Sequence, residues 1–137
     1  MNQRIVIVGT GIDLCEVDRI QAAIERHGRR IVERVYTERE IAYAERKTNR
    51  YERYAARFAA KEAGMKALGT GWRGGIGWRD FEVVNLGSGR PTLVFHGQAA
   101  EIAKKLGVSR VSLSITHTVA MAMAMVILEG EEPTQLF

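Results

Sequence analysis

The sequence predicts a single domain that mixes α-helices with β-strands, and three stretches carry that expectation. Arg50–Leu68 is a long Ala-rich helical run that ends in Gly69-Thr-Gly71. Phe81–Asn85 and Thr92–Phe95 are β-type runs flanking a loop with Gly87, Gly89 and Pro91, the pattern of a hairpin. Val119–Glu129 alternates strictly, with Ala120, Ala122 and Ala124 on one face and Met121, Met123 and Met125 on the other. Successive strand side chains point to opposite faces, so the alternation means a strand, and two apolar faces both need cover. In a domain this small, another subunit can supply the second cover.

The remaining elements follow in chain order. Ile5–Thr10 reads as a strand ending at Gly9-Thr-Gly11. A helix over roughly Glu16–His27 buries Val17, Ile20, Ala23 and Ile24, with Gly28 as its stop. Thr37-Glu-Arg-Glu40 is a capping box, Thr37 at the N-cap and Glu40 at N3, and it opens a helix to about Lys47. After the central helix comes a loop, Trp72–Trp78. Beyond the hairpin, a helix over Gln98–Leu106 stops at Gly107, and a strand over Arg110–Thr116 precedes the last one. Residues 1–130 read as the domain and 131–137 as a C-terminal tail.

The chain has 137 residues, 46% of them hydrophobic and 26% charged, a composition that supports one core without staples. Cys15 is the only cysteine, which excludes an intrachain disulfide and a cysteine metal knuckle and leaves a small apolar packer. Met-Asn-Gln-Arg leads into the short run Ile5–Val8, which is no signal peptide, and Val119–Leu128 is about half of a membrane span. A cytoplasmic location without membrane association is expected. The net charge of +4 predicts an anionic partner without choosing among nucleic acid, a phosphate-rich cofactor and an acidic protein.

The chemistry concentrates in residues 57–71. On a helical wheel at about 100° per residue, Glu62 lies about 40° from Phe58 and about 60° from Met65, on the large-apolar stripe. Lys66 follows at i+4, while Arg57 and Lys61 lie on the other flank. A carboxylate beside a lysine suits an anionic substrate with a metal; the same pair also reads as an i,i+4 surface ion pair worth a few tenths of a kcal/mol. Asp13 sits where the first strand gives way to a helix, and a strand-end Asp plus a helix Glu is a recipe for Mg²⁺, which takes its other ligands from water and phosphate. Alternatively, Asp13 or Asp18 caps the helix start. Ser112, Ser114 and Thr116 share a strand face that ends at His117, groups that can bind phosphate or move a proton. Gly9-Thr-Gly11 and Gly69-Thr-Gly71 are too short for a Walker loop, and Gly-x-Ser-x-Gly does not occur. Arg19 and Arg26 stack on the first helix, with Arg29 and Arg30 beyond, as a strip suited to an acidic helix. A basic nucleic-acid-binding module is the alternative class, suggested by charge and by Arg73-Gly-Gly, but no RNP-type aromatic strand or zinc-finger spacing accompanies it.

Three segments together resemble the holo-acyl-carrier-protein synthases, the small trimeric type of 4′-phosphopantetheinyl transferase. They are Gly11-Ile-Asp13-x-x-Glu16-x-x-Arg19-Ile20, Arg57-Phe-Ala-Ala-Lys61-Glu62-Ala63-x-x-Lys66-Ala67-x-Gly69-Thr-Gly71, and Val111-Ser-Leu-Ser114-Ile-Thr116-His117-Thr118 with the Ala-rich strand after it. The resemblance implies an α+β domain with an antiparallel sheet packed on the long central helix, and a homotrimer with each active site between subunits. It implies Mg²⁺ at Asp13 and Glu62, coenzyme A phosphates at Arg57, Lys66, His117 and Thr118, and catalysis by Glu62, Lys66 and Asp13. It implies an apo acyl carrier protein docked on Arg19, Arg26 and Arg29, and transfer of phosphopantetheine to its serine with release of 3′,5′-ADP, as fatty acid synthesis requires. Gly64-Met65 and Trp72–Trp78 depart from the family pattern and bear on coenzyme A packing.

Overall fold

The computed structural model describes residues 4–71 and 75–132. The elements run β1 (Ile5–Glu16), α1 (Val17–His27), α2 (Arg29–Val35), α3 (Glu38–Glu45), α4 (Arg50–Leu68), a 3₁₀ turn at Trp78–Asp80, β2 (Phe81–Asn85), β3 (Pro91–Phe95), α5 (Gly97–Lys105), β4 (Val108–His117) and β5 (Met121–Glu131). β1, β5 and β4 form an antiparallel sheet in that order, and β2–β3 is a separate antiparallel hairpin. This is the expected α+β domain, with the sheet laid on the central helix. Glu131 closes β5 and the Glu132 amide donates to the Arg4 carbonyl at 2.7 Å. The rest of the expected tail, 133–137, lies outside the described residues, as do residues 72–74 of the tryptophan loop.

The first strand does not stop at its glycines. It continues to Glu16, with a register shift between Ile7 and Gly9, because the glycines are where α4 crosses it. A Cβ on Gly9 would stand 2.0 Å from the Ala67 carbonyl oxygen, and one on Gly11 1.9 Å from that of Ala63. Helix and strand therefore touch backbone to backbone, and only glycine fits. On the helix side the contact is made by small residues: Ala55, Ala59, Ala60 and Ala63 are completely buried. α4 ends at Gly69, which adopts φ 75°, the left-handed stop its sequence predicts. Gly64 lies under Phe81 and Leu93 of the hairpin, so this departure from the family pattern is a core-packing feature.

Gly28 ends α1 as expected, with φ 61°, but the chain re-enters a helix at once. That second helix, α2, was not expected. Its Val32 and Val35 join Tyr36, Ala44 and Tyr54 in a small second core that the periodicity of so short a segment does not announce.

The capping box forms in full: Thr37 Oγ1 accepts from the Glu40 amide at 3.3 Å and Glu40 Oε1 accepts from the Thr37 amide at 2.9 Å. Glu40 does more than cap. It is fully buried, pairs with Lys61 Nζ at 2.6 Å and accepts from the Val83 amide at 2.9 Å. Lys61 also donates to the Trp78 carbonyl at 3.2 Å and to that of Phe81. Beside this pair, Glu82 accepts from Thr37 Oγ1 at 2.6 Å, from Arg39 Nη2 at 2.7 Å and from His96 Nε2 at 2.9 Å. Lys61 is thus no solvated flank residue but the buried tie between α3, α4 and the hairpin.

Gly11→Ala is expected to cost about 3 kcal/mol or more, because the clash is with backbone and cannot be relieved by a rotamer. Denaturant unfolding would show it; a loss below about 1 kcal/mol would mean that α4 moves aside freely. A second expectation concerns pH. Burial alone would push Glu82 up, but the bonds from Arg39, Thr37 and His96 outweigh it and hold the carboxyl at about 2, against an ordinary 4.5. A depressed carboxyl contributes stability above its unfolded value and loses it as pH falls through its folded value. Glu82→Gln should therefore be less stable than wild type near neutral pH, with the gap narrowing below pH about 4 and closing toward about 2. A gap that stays constant across this range would contradict the assignment.

Candidate functional site

Two clusters of functional groups form on α4. The first stands where the helix crosses β1. Asp13 is inside the strand, opposite Ala124, and not at a strand-to-helix junction; α1 begins at Val17. Its side chain shares the α4 face with Gly11, two residues earlier, so the crossing that demands glycine brings Asp13 up to the helix. Lys66 reaches back from α4 and donates to Asp13 Oδ1 at 3.1 Å and to the Ile12 carbonyl at 3.0 Å. The lysine is therefore committed to β1, and the simple Glu62–Lys66 surface pair is not what forms. Glu62 is half-buried; burial pushes its carboxyl above the ordinary value, Asp13 adds to the push and Lys66 offsets part of it. A carboxyl held up by burial and by a neighbouring carboxylate would gain from a shared cation. Among the described residues no group of three or more His, Cys, Asp and Glu is poised to hold a metal. The donor set is two hard oxygens, which suits Mg²⁺, an ion content with one or two carboxylates when phosphates and waters complete its shell. Cys15 lies nearby but is inert: burial, then Asp13, push its thiol up to about 11.

The second cluster surrounds a cavity of about 230 Å³ between the first turns of α4, the hairpin and the end of β4. Its walls include Tyr43, Arg53, Arg57, Asn85, Pro91 and His117. The guanidinium carbons of Arg57 and Arg53 sit 3.8 and 4.2 Å from the Tyr43 ring centroid. Arg57 is 5% exposed, donates to Asn85 Oδ1 at 2.8 Å, and leaves its Nε buried without a partner among the described residues. Burial lowers its pKa, yet guanidinium stays charged at any ordinary pH. Two arginines stacked on one ring, one with an unused donor, make an anion-binding wall. His117 Nδ1 lies 2.9 Å from Glu52 Oε1.

The remaining expected residues fall as follows. Thr118 Oγ1 accepts from the amides of Ala120 and Met121 at 3.2 and 3.1 Å, holding the β4–β5 turn and keeping its hydroxyl proton free to donate. Ser112, Ser114 and Thr116 point to the sheet face away from α4, in rows with Ile127, Met125 and Met123, so they do not line either cluster. Arg19 and Arg26 are exposed on α1. Arg29 belongs to α2, not to the first helix, and is paired with Glu33 at 2.8 Å on the surface. Tyr43, Arg53 and Asn85 were not foreseen. Arg53 alone had a signal, one turn before Arg57 on the same helix; the others reach the cavity only through tertiary folding.

A family model described as the 4′-phosphopantetheinyl transferase superfamily matches residues 9–124. The holo-[acyl-carrier-protein] synthase of Solibacter usitatus (strain Ellin6076) is 67% identical over 125 residues, covering 91% of this chain and 100% of that protein. Among solved structures, the holo-[acyl-carrier-protein] synthase of Neisseria meningitidis aligns with a TM-score of 0.81 at 31% identity, over 90% of this chain and 98% of that one. The enzyme from Bacillus anthracis str. Ames, solved in complex with CoA (3′,5′-ADP), aligns with a TM-score of 0.73 at 36% identity, over 91% and 98%. The fold agrees with these matches, and the chain belongs to the 4′-phosphopantetheinyl transferase superfamily, in its holo-[acyl-carrier-protein] synthase family.

Proposed function

We propose that this protein transfers 4′-phosphopantetheine from coenzyme A to a serine of an apo acyl carrier protein and releases 3′,5′-ADP. The observation that carries the reading is the meeting of Asp13, Glu62 and Lys66 where α4 crosses β1. Asp13 and Glu62 would hold Mg²⁺, whose charge would neutralise the coenzyme A pyrophosphate. Coenzyme A bound to the Bacillus anthracis relative supports the same substrate here.

In the reaction, the serine oxygen bonds to the β-phosphorus as the bond to the oxygen of 3′,5′-ADP breaks. Little covalent work falls to the protein; positioning and charge neutralisation dominate, as in other phosphoryl transfers. Lys66, held by Asp13 and the Ile12 carbonyl, stabilises or protonates the leaving phosphate. Glu62, through a water, takes the serine proton. Arg57 and His117 grip the adenosine 3′-phosphate in the cavity they line, and the Thr118 hydroxyl proton adds a phosphate contact.

The acidic recognition helix of the carrier protein would dock on Arg19, Arg26 and Arg29, the exposed cations of α1 and the start of α2. The protein is proposed to work as a homotrimer in the cytoplasm, in fatty acid synthesis, with residues 1–130 as its domain. Among the described residues no helix is long and apolar enough to cross a membrane. The outer sheet face supports the assembly: Ile12 and Leu14 are each 56% exposed, Met123 38% and Met125 41%. These residues form adjacent rows, Ile12–Met125–Ser114 and Leu14–Met123–Thr116, an apolar patch that a second copy would bury.

Incubated with Mg²⁺, coenzyme A and an apo carrier, the protein should add the mass of one phosphopantetheine to the carrier. Glu62→Gln should keep the fold by circular dichroism and lose activity by about a thousandfold or more at saturating Mg²⁺. Near-normal turnover would remove the metal assignment, and no mass gain with several carriers would remove the function. Met125→Asp should leave the subunit folded but shift its mass in light scattering from trimer to monomer, with transfer lost alongside. An intact trimer in that variant would overturn the assembly proposed for this face.

A further inference from the structure

Glu52 has no place in the reaction described so far. It lies in the first turn of α4, its side chain only 21% exposed, and it pairs with His117, which lines a cavity with Arg53, Arg57 and Tyr43. A bare carboxylate there would repel the anion that the arginines attract. Its one hydrogen-bond partner in the described structure is His117, whose Nδ1 is 2.9 Å from Glu52 Oε1. His117 ends β4, and its side chain is 40% exposed, so strand packing alone does not fix the ring. A carboxylate oxygen only accepts, so the ring nitrogen facing Glu52 is the donor, and both ring nitrogens donate when the imidazole is doubly protonated. With Nδ1 donating to Glu52, the ring that carries a second proton, on Nε2, has that N–H left to offer an anion, and His117 lines the cavity.

We infer that Glu52 is a positioning residue: by accepting from His117 Nδ1 it sets the doubly protonated ring so that Nε2–H donates to the phosphate held by Arg57. The inference rests on the reading of this cavity as the seat of the coenzyme A 3′-phosphate. The pair also ties the start of α4 to the end of β4, so the ring is aimed from the same helix that carries Arg53 and Arg57. Glu52 itself touches no substrate and acts through His117.

Dephospho-coenzyme A, which lacks the 3′-phosphate, is the probe that isolates this contact. Glu52→Ala is expected to raise KM for coenzyme A about tenfold, keep kcat within about twofold and leave KM for dephospho-coenzyme A unchanged. Glu52→Gln keeps an acceptor oxygen and should restore the wild-type KM within about twofold. In a His117→Ala background, Glu52→Ala should add nothing, since the two residues act as one unit. The ¹⁵N signals of the His117 ring report the protonation and hydrogen bonding of each nitrogen directly, and they should change in Glu52→Ala. Unchanged ring signals, or a Glu52→Ala effect that is equally large in the His117→Ala background, would overturn the positioning role. Full discrimination between the two coenzymes by His117→Ala would instead overturn the phosphate reading of the ring, and the role of Glu52 with it.

Discussion

The backbone contact between α4 and β1 is the constraint on which both the core and the carboxylate pair depend. Gly9 lies against the Ala67 carbonyl and Gly11 against that of Ala63, each closer than any Cβ allows. The residues flanking this contact are the ones with chemistry to do. Glu62 precedes Ala63, and Asp13 follows Gly11 by one same-face step along the strand. A larger residue at either glycine would push the helix off the sheet and draw the carboxylates apart. Packing and electrostatics are here set by one geometric fact.

The helix must also be held against rotation, since a turn of one residue, about 100°, would carry Glu62 away from Asp13. Lys61 does this from the opposite side. Its ammonium is fully buried, and its burial lowers its pKa while Glu40 pulls it back. A lone buried ammonium would be prohibitive, and it is tolerated because Glu40 and two backbone carbonyls surround it. Glu40 is in turn placed by the capping box of α3. The chain of contacts from Thr37 through Glu40 to Lys61 fixes the azimuth of the neighbouring Glu62. Removing one member would leave the others buried and uncompensated, which ties local capping chemistry to the geometry of the site.

What could be read in the sequence follows from which signals are local. The bounds of α4, the capping box, the hairpin and the alternation of β5 are written in consecutive residues, and the structure has them. Asp13, Glu62 and Lys66 came through the ordered motifs of the family resemblance, and the fold brings them together. The glycines of β1 were misread as a strand end because a glycine that admits another backbone and a glycine that turns are identical in one dimension. Helix α2 escaped because seven residues are too few to show a helical period. Arg57 and Lys61 looked like one polar flank, yet both are buried, since α4 is covered by β1, by β5 and by the hairpin. Tyr43 and Asn85 join the cavity from elements distant in sequence, and no spacing rule links them.

The two faces of β5 make the same point about size. Ala122 and Ala124 are 0% and 1% exposed, Met123 and Met125 38% and 41%. Hydrophobicity does not separate these residues, because both types are apolar. Their volumes do. Ala122 and Ala124 stand opposite Cys15 and Asp13, whose side chains share the face toward α4. On the same face Val126 and Leu128, completely buried, stand opposite Gly11 and Gly9, which carry no side chains of their own. On the outer face Met, long and unbranched, can repack against whatever covers it. On the inner face of β5, small residues are therefore matched to side chains on β1 and large ones to its glycines, a complementarity that the register of the two strands sets.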